Sequence, residues 1–183
     1  MDDLDLLAGV MTKAADLVEG VAPDQLDRPT PCSDWDVRAL VEHMVGWARV
    51  FDEAAKGGAY DGDPAVYKLT DDYAEQFRQS ADGVVAGWRA HGMERTVRLT
   101  SGEIPAAIAF NVTLMEYTTH GWDLATAIGA PVPFTDDEAE ATLERARKTL
   151  QPEYRGDAIG PEVGAPDDAS AATRLAAFMG RPA

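Results

Sequence analysis

The sequence predicts an all-α fold: a four-helix bundle with additional short C-terminal helices. Three observations predict it. Four long segments of the 183-residue chain carry apolar side chains at every third or fourth position. Proline and glycine punctuate the chain between those segments. The one alternating stretch, Arg95-Thr96-Val97-Arg98-Leu99-Thr100, is short and extended, and alone it cannot make a sheet.

The first helix carries Leu4, Leu7, Val10, Met11, Ala14, Leu17, Val18 and Val21 on one stripe. Pro23, Pro29 and Pro31 then break the chain into a loop. Ser33 is the expected N-cap of the second helix, with Asp36 three residues on as a weak capping box. That helix is expected from Trp35 to Ala55, with Val37, Leu40, Val41, Met44, Trp47 and Phe51 inward and Gly57-Gly58 as its stop. A third helix is expected from Val66 to Ala90, bearing Val66, Leu69, Tyr73, Phe77, Ala81, Val84 and Trp88, and ended by His91-Gly92. Pro105 suits the first turn of a fourth helix, which runs to Ile128 and stops at Gly129 and Pro131. Thr135 and Glu138 form a capping box for a fifth helix, to Leu150. A Pro/Gly-rich stretch from Pro152 to Pro166 follows, and a short last helix holds Leu175, Phe178 and Met179 and ends at Gly180. The expectation is one domain over 1–183, with the bundle over about 1–130 and a helical C-terminal extension over about 135–183.

Charge excludes whole classes of partner. Sixteen Lys+Arg against thirty-two Asp+Glu leave a net −16, and the pI is near 4.4. Such a surface repels nucleic-acid backbones and anionic membranes. It does not steer anionic substrates inward, so any anion must be held by local groups. No apolar run approaches the roughly 18 residues of a membrane span. The start, Met1-Asp2-Asp3-Leu4-Asp5, lacks the basic and apolar regions of a secretory signal, so the expected location is cytoplasmic. Cys32 is the only cysteine, which excludes an internal disulfide. It precedes a helix, which can activate a thiol, and it can equally be a small buried side chain.

The chain has only three histidines, at 43, 91 and 120. At about 100° per residue, Ile104, Ile108, Val112, Met115, Thr119 and Trp122 share one stripe of helix four. Glu116, His120 and Asp123 share an adjacent arc about 60° wide, with Ala109 and Ala127 above and below. Small residues beside a polar cluster leave room for an ion, water or ligand. Glu116 and His120 stand at i, i+4 and project to one point. A carboxylate and an imidazole can hold a divalent transition metal; the same pair can also be a metal-free hydrogen bond. His43, at the inner edge of helix two, is the candidate third ligand, or else a histidine bonded to a neighbouring loop. His43, Glu116 and His120 would leave an open fourth position, as catalytic sites do. Asp123 could accept from the other nitrogen of His120 and fix its tautomer. His91 reads as a helix end. The tryptophans at 35, 47, 88 and 122 are expected in the core, with Trp47 and Trp122 also walling the metal pocket.

The run Pro29-Thr30-Pro31-Cys32-Ser33-Asp34-Trp35-Asp36-Val37-Arg38-Ala39-Leu40-Val41-Glu42-His43 resembles a signature of the mycothiol-dependent maleylpyruvate isomerase family, within the DinB-like metal-binding four-helix bundles. Glu116-Tyr117-Thr118-Thr119-His120-Gly121-Trp122-Asp123-Leu124-Ala125 resembles its second signature. The ending, Gly160-Pro161-Glu162 through Arg174-Leu175 to Gly180-Arg181-Pro182, is similar to the tail of short members. The resemblance implies a divalent metal, zinc before nickel, manganese or iron, held by His43, Glu116 and His120. It also implies mycothiol as a thiol cosubstrate with its sulfur at the open position. That thiol is actinobacterial, and twelve Arg against four Lys suit a GC-rich genome. The namesake isomerase carries a further C-terminal domain that 183 residues do not accommodate, which points away from maleylpyruvate isomerisation itself.

The expected function is therefore a divalent-metal-binding, mycothiol-dependent transferase or isomerase-like enzyme with a metal-activated thiolate. Its partners would be a small-molecule thiol and an electrophilic substrate, with no nucleic acid and no membrane, in a monomer or homodimer. Three alternatives stand beside it. One is a metal-dependent hydrolase with Asp123 or Glu42 as base. Another is a non-enzymatic metal-binding stress protein of the same fold. The last is a bundle with no metal.

Overall fold

The computed structural model describes residues 2–152, 155–156 and 159–182. Parts of the Pro152–Pro166 stretch, Met1 and the final residue of the C-terminal extension therefore lie outside the described residues.

Four long helices form the bundle: α1 (Asp3–Glu19), α2 (Val37–Lys56), α3 (Tyr73–His91) and α4 (Ala106–Ile128). Each of α1 and α2 packs against both α3 and α4, which closes the four around one core. Leu7, Val10, Leu40, Met44, Phe51, Phe77, Phe110, Leu114 and Tyr117 are fully buried there. Asp2 caps α1 by accepting from the backbone N–H of Leu4 at 2.8 Å. Gly57 closes α2 at φ +86°, a conformation that glycine adopts without steric cost.

α2 begins two residues later than expected, and its cap is Asp36 rather than Ser33. The Asp36 carboxylate accepts from the Ala39 N–H at 2.8 Å. The chain ahead of it is already committed to a tight loop, with Pro29 bridged to Asp36 and Val37 N–H donating to the Arg28 carbonyl at 2.9 Å. α3 begins at Tyr73, seven residues after the expected start at Val66. Asp63 caps a 3-10 turn over Pro64–Val66, and the Leu69 N–H donates to Glu42 on α2 at 3.2 Å. Side chains thus take the bonds a helix would need. Val66, assigned to the buried stripe, is 68% exposed.

The alternating stretch does pair. Strand β1 (Thr96–Leu99) runs antiparallel to β2 (Gly102–Pro105), with Val97 opposite Ile104. Four residues without alternation hid the second strand from the sequence. Pro105 pairs with Thr96 and directly precedes α4 instead of lying in its first turn. Val97 and Leu99 bury against the bundle core, so the hairpin is held by packing rather than by its own bonds.

Helix α5 (Asp136–Thr149) has the expected capping box, with Thr135 and Glu138 each accepting from the other's backbone N–H. Together with α6 (Ala171–Phe178) it packs on the far side of α4. Met115 joins Leu143, Leu150, Leu175, Phe178 and Met179 there, and Trp122 joins Ala139, Ala171, Ala172 and Ala176. The expected stripe of α4 therefore faces the C-terminal helices, and Ile108 at its end is 38% exposed. The bundle core takes Ala106, Ala109, Phe110, Leu114, Tyr117 and Leu124 instead. Covered on two sides, α4 is apolar nearly all round, and a single-stripe reading cannot say which side is which. Among the described residues no helix is long and apolar enough to cross a membrane.

Candidate metal centre

The site begins in the loop ahead of α2. The Thr30 hydroxyl accepts from the Cys32 N–H at 3.1 Å and lies 2.9 Å from the Trp35 carbonyl. The Trp35 N–H donates back to the Cys32 carbonyl at 2.9 Å. This closed loop seats the indole of Trp35 over His43, with ring centroids 4.5 Å apart. The Trp47 ring flanks His43 at 6.2 Å, one turn along α2. Trp47 thus lies where expected. Trp122 is buried as expected, but in the layer shared with α5 and α6 rather than as a wall of the site. Trp35, assigned to the core, is instead a half-buried wall of the site.

α2 and α4 then bring their polar groups together. The Tyr117 hydroxyl donates to the Met44 carbonyl at 3.2 Å, one residue from Glu116 on one helix and from His43 on the other. That buried bond pins the register of the two helices. His43 Nε2 lies 2.5 Å from Glu116 Oε1. His120 Nε2 lies 3.5 Å from the same oxygen. One donor atom from each of the three residues falls within 4.8 Å of the others. His120 Nδ1–H donates to Asp123 Oδ2 at 3.0 Å, as expected for the outer carboxylate. With Nδ1 engaged by Asp123, Nε2 is the His120 atom that faces Glu116.

Burial opposes charge on Glu116, but His120, His43 and the hydrogen bond from His43 outweigh it, and its pKa falls to about 2. Glu116 is a carboxylate at every ordinary pH. The donor set suits a divalent transition metal: two imidazoles and one carboxylate, with 20% of the Glu116 side chain exposed. Ligands at about 2.1 Å on a tetrahedral ion lie about 3.4 Å apart. The His120–Glu116 pair already has that spacing, at 3.5 Å. The His43–Glu116 pair is at hydrogen-bond length and would have to open by about 1 Å.

The remaining candidates separate. His91 ends α3, exposed, as expected. Glu42 is tied to Lys68 at 2.7 Å and to the Leu69 N–H, so it is not a free base. Cys32 is half-buried; burial raises its thiol pKa, Arg181 pulls it down, and Asp123, Asp34 and Glu116 push it up, for a net rise. That is not an activated thiol.

Besides the placement of Trp35, sequence reasoning missed Arg181. Arg181, 8% exposed, places its guanidinium on Asp123. The only signal was the Gly-Arg-Pro ending behind the last helix.

The fold and the site define a DinB-like four-helix bundle with a His–Glu–His cluster between two of its helices. The chain belongs to the mycothiol maleylpyruvate isomerase N-terminal domain family, which matches residues 7–125. That span contains all three cluster residues and Asp123; Arg181 lies beyond it. Two uncharacterised proteins of Mycobacterium tuberculosis, from strains CDC 1551 / Oshkosh and ATCC 25618 / H37Rv, are each 32% identical over 171 residues, covering 91% of either chain. No solved structure matches significantly.

Proposed function

We propose that this protein is a divalent-metal-dependent enzyme that uses mycothiol to attack an electrophilic carbon. The observation that carries it is the convergence of His43, Glu116 and His120 within 4.8 Å, in a chain of a mycothiol-related family. A bound divalent ion would supply Lewis acidity and keep a thiol deprotonated at neutral pH. Zinc is the metal favoured, since two imidazoles and a carboxylate with one open position are a zinc-type set.

The residues have distinct work. Glu116, anionic and mostly buried, contributes one negative charge. With two neutral imidazoles it leaves a divalent site one net positive charge, which suits an anionic sulfur. Asp123 fixes the tautomer and tilt of His120. Trp35 and Trp47 keep water off the His43 flank. A surface groove of about 280 Å³ adjoins Trp47 and is lined by Gly62, Asp63, Pro64, Ala65 and Thr100. In the overall reaction the sulfur forms a C–S bond. The thiol proton ends on the α-carbon of an unsaturated acid or on the oxygen of an opened epoxide. Nothing is oxidised or reduced.

A thiol-independent hydrolase is the weaker reading. Glu42 is held by Lys68, and Asp123 is fully buried against Arg181, so neither candidate base is free to reach a water. The test uses purified protein, zinc, mycothiol and a panel of unsaturated acids and epoxides. Thiol conjugation is expected in wild type, with loss of bound zinc and of turnover in His43→Ala and His120→Ala. Loss of a ligand should cost more than the roughly 10–100-fold that an outer partner contributes. Turnover without thiol, or zinc content equal in wild type and both variants, would overturn the proposal.

A further inference from the structure

The last helix ends in a way that aims one residue at the metal centre. Gly180 N–H donates to the Ala177 carbonyl at 3.0 Å and Arg181 N–H to the Ala176 carbonyl at 2.9 Å. That pair of bonds is a Schellman turn, and Gly180 takes the left-handed position at φ +84°. A side chain at 180 would also meet the Pro161 carbonyl at 3.1 Å. The turn throws Arg181 back over α4. Its Nε donates to Asp123 Oδ1 at 3.3 Å and Oδ2 at 3.2 Å, its Nη2 to Oδ2 at 3.1 Å, and its Nη1 to the Met179 carbonyl at 3.0 Å. Asp123 is 0% exposed, so its carboxylate depends on these partners rather than on bulk solvent.

We infer that Arg181 is a positioning residue for the metal centre. It locks the Asp123 carboxylate in the one orientation that receives His120 Nδ1–H, and so presents His120 Nε2 to the ion. Oδ2 is the shared atom: it lies 3.1 Å from Arg181 Nη2 and 3.0 Å from His120 Nδ1. A carboxylate held by a single partner can rotate; one held on both oxygens by a planar guanidinium cannot. Arg181 acts from a C-terminal turn on a ligand that lies inside the family-matched region. Its effect on metal rests on the metal reading above; its effect on the imidazole does not.

The experiment is nitrogen NMR of the histidine side chains in metal-free protein, paired with zinc titration. At a pH where His120 is neutral, wild type should show it as the Nδ1–H tautomer. Arg181→Met should give a mixed tautomer and zinc binding weaker by about 10- to 100-fold, with the helical spectrum kept. Arg181→Lys, which keeps the charge, should recover the Nδ1–H form and most of the affinity. An unaltered His120 tautomer in folded Arg181→Met overturns the inference. If that variant does not fold, wild type still decides it. The Arg181 Nε–H must then give a slowly exchanging signal, and fast exchange like that of an exposed arginine overturns the inference. Absence of zinc binding in wild type would end the metal reading and leave the tautomer comparison standing.

Discussion

The Trp35 indole lies 4.5 Å from the His43 imidazole and 5.6 Å from that of His120, tilted by 41° and 36°. One side chain, set by a loop rather than a helix, thus covers both histidines of the cluster. Cobalt or nickel bound by those histidines would sit beside this indole. Titration with either ion should quench tryptophan fluorescence, and Trp35→Phe should remove the larger share of the quench. Trp47, at 6.2 Å from His43, accounts for part of the remainder. A quench of undiminished size in Trp35→Phe would place the ion elsewhere.

Tyr117 ties α4 to α2 beside two of the ligands, through its bond to the Met44 carbonyl. Tyr117→Phe keeps the ring and deletes that bond. The loss should be about 1 kcal/mol, a fall in Tm of about 2–4 °C for a chain of this size. Zinc affinity should fall several-fold as the helices gain freedom to slide. Calorimetric melting and zinc titration measure the two effects, and a stability loss with wild-type affinity would separate the register bond from the site.

Glu138 reports on the junction of α1 with α5. Burial raises its pKa, but Lys13 and the Thr135 N–H outweigh that, and its pKa is held below the ordinary value. Its stabilising effect is therefore present above the ordinary carboxylate pKa and is lost as pH falls from there through the lower folded-state pKa. Glu138→Gln should cost about 1–3 kcal/mol at neutral pH and flatten the acid side of the stability profile. Urea titrations at a series of pH values test this; an acid limb as steep as in wild type would contradict it.

Much of the site was legible before the fold was known. Glu116 and His120 stand four apart on one helix, and that spacing alone puts both heads at one point. Asp123 follows by the same periodicity. His43 needed only the inner edge of a second helix. Local residue chemistry also set the Thr135–Glu138 cap and the glycine stops, because these depend on neighbours within a turn or two of chain.

What periodicity could not decide is direction and distance across the chain. α4 shows two apolar sides, and only packing assigned Met115 and Trp122 to the C-terminal helices and Leu114 and Tyr117 to the bundle. α3 starts late because Glu42, 27 residues away in sequence, takes the Leu69 N–H. Arg181 meets Asp123 across 58 residues. The sequence by itself determined the helices and the residues that can act as ligands, since both follow from local geometry. Only the tertiary structure decided what surrounds those ligands. Trp35 over His43 and Arg181 behind Asp123 come from a loop and a tail, whose positions are set by long-range packing and hydrogen bonds that no repeat in the sequence encodes.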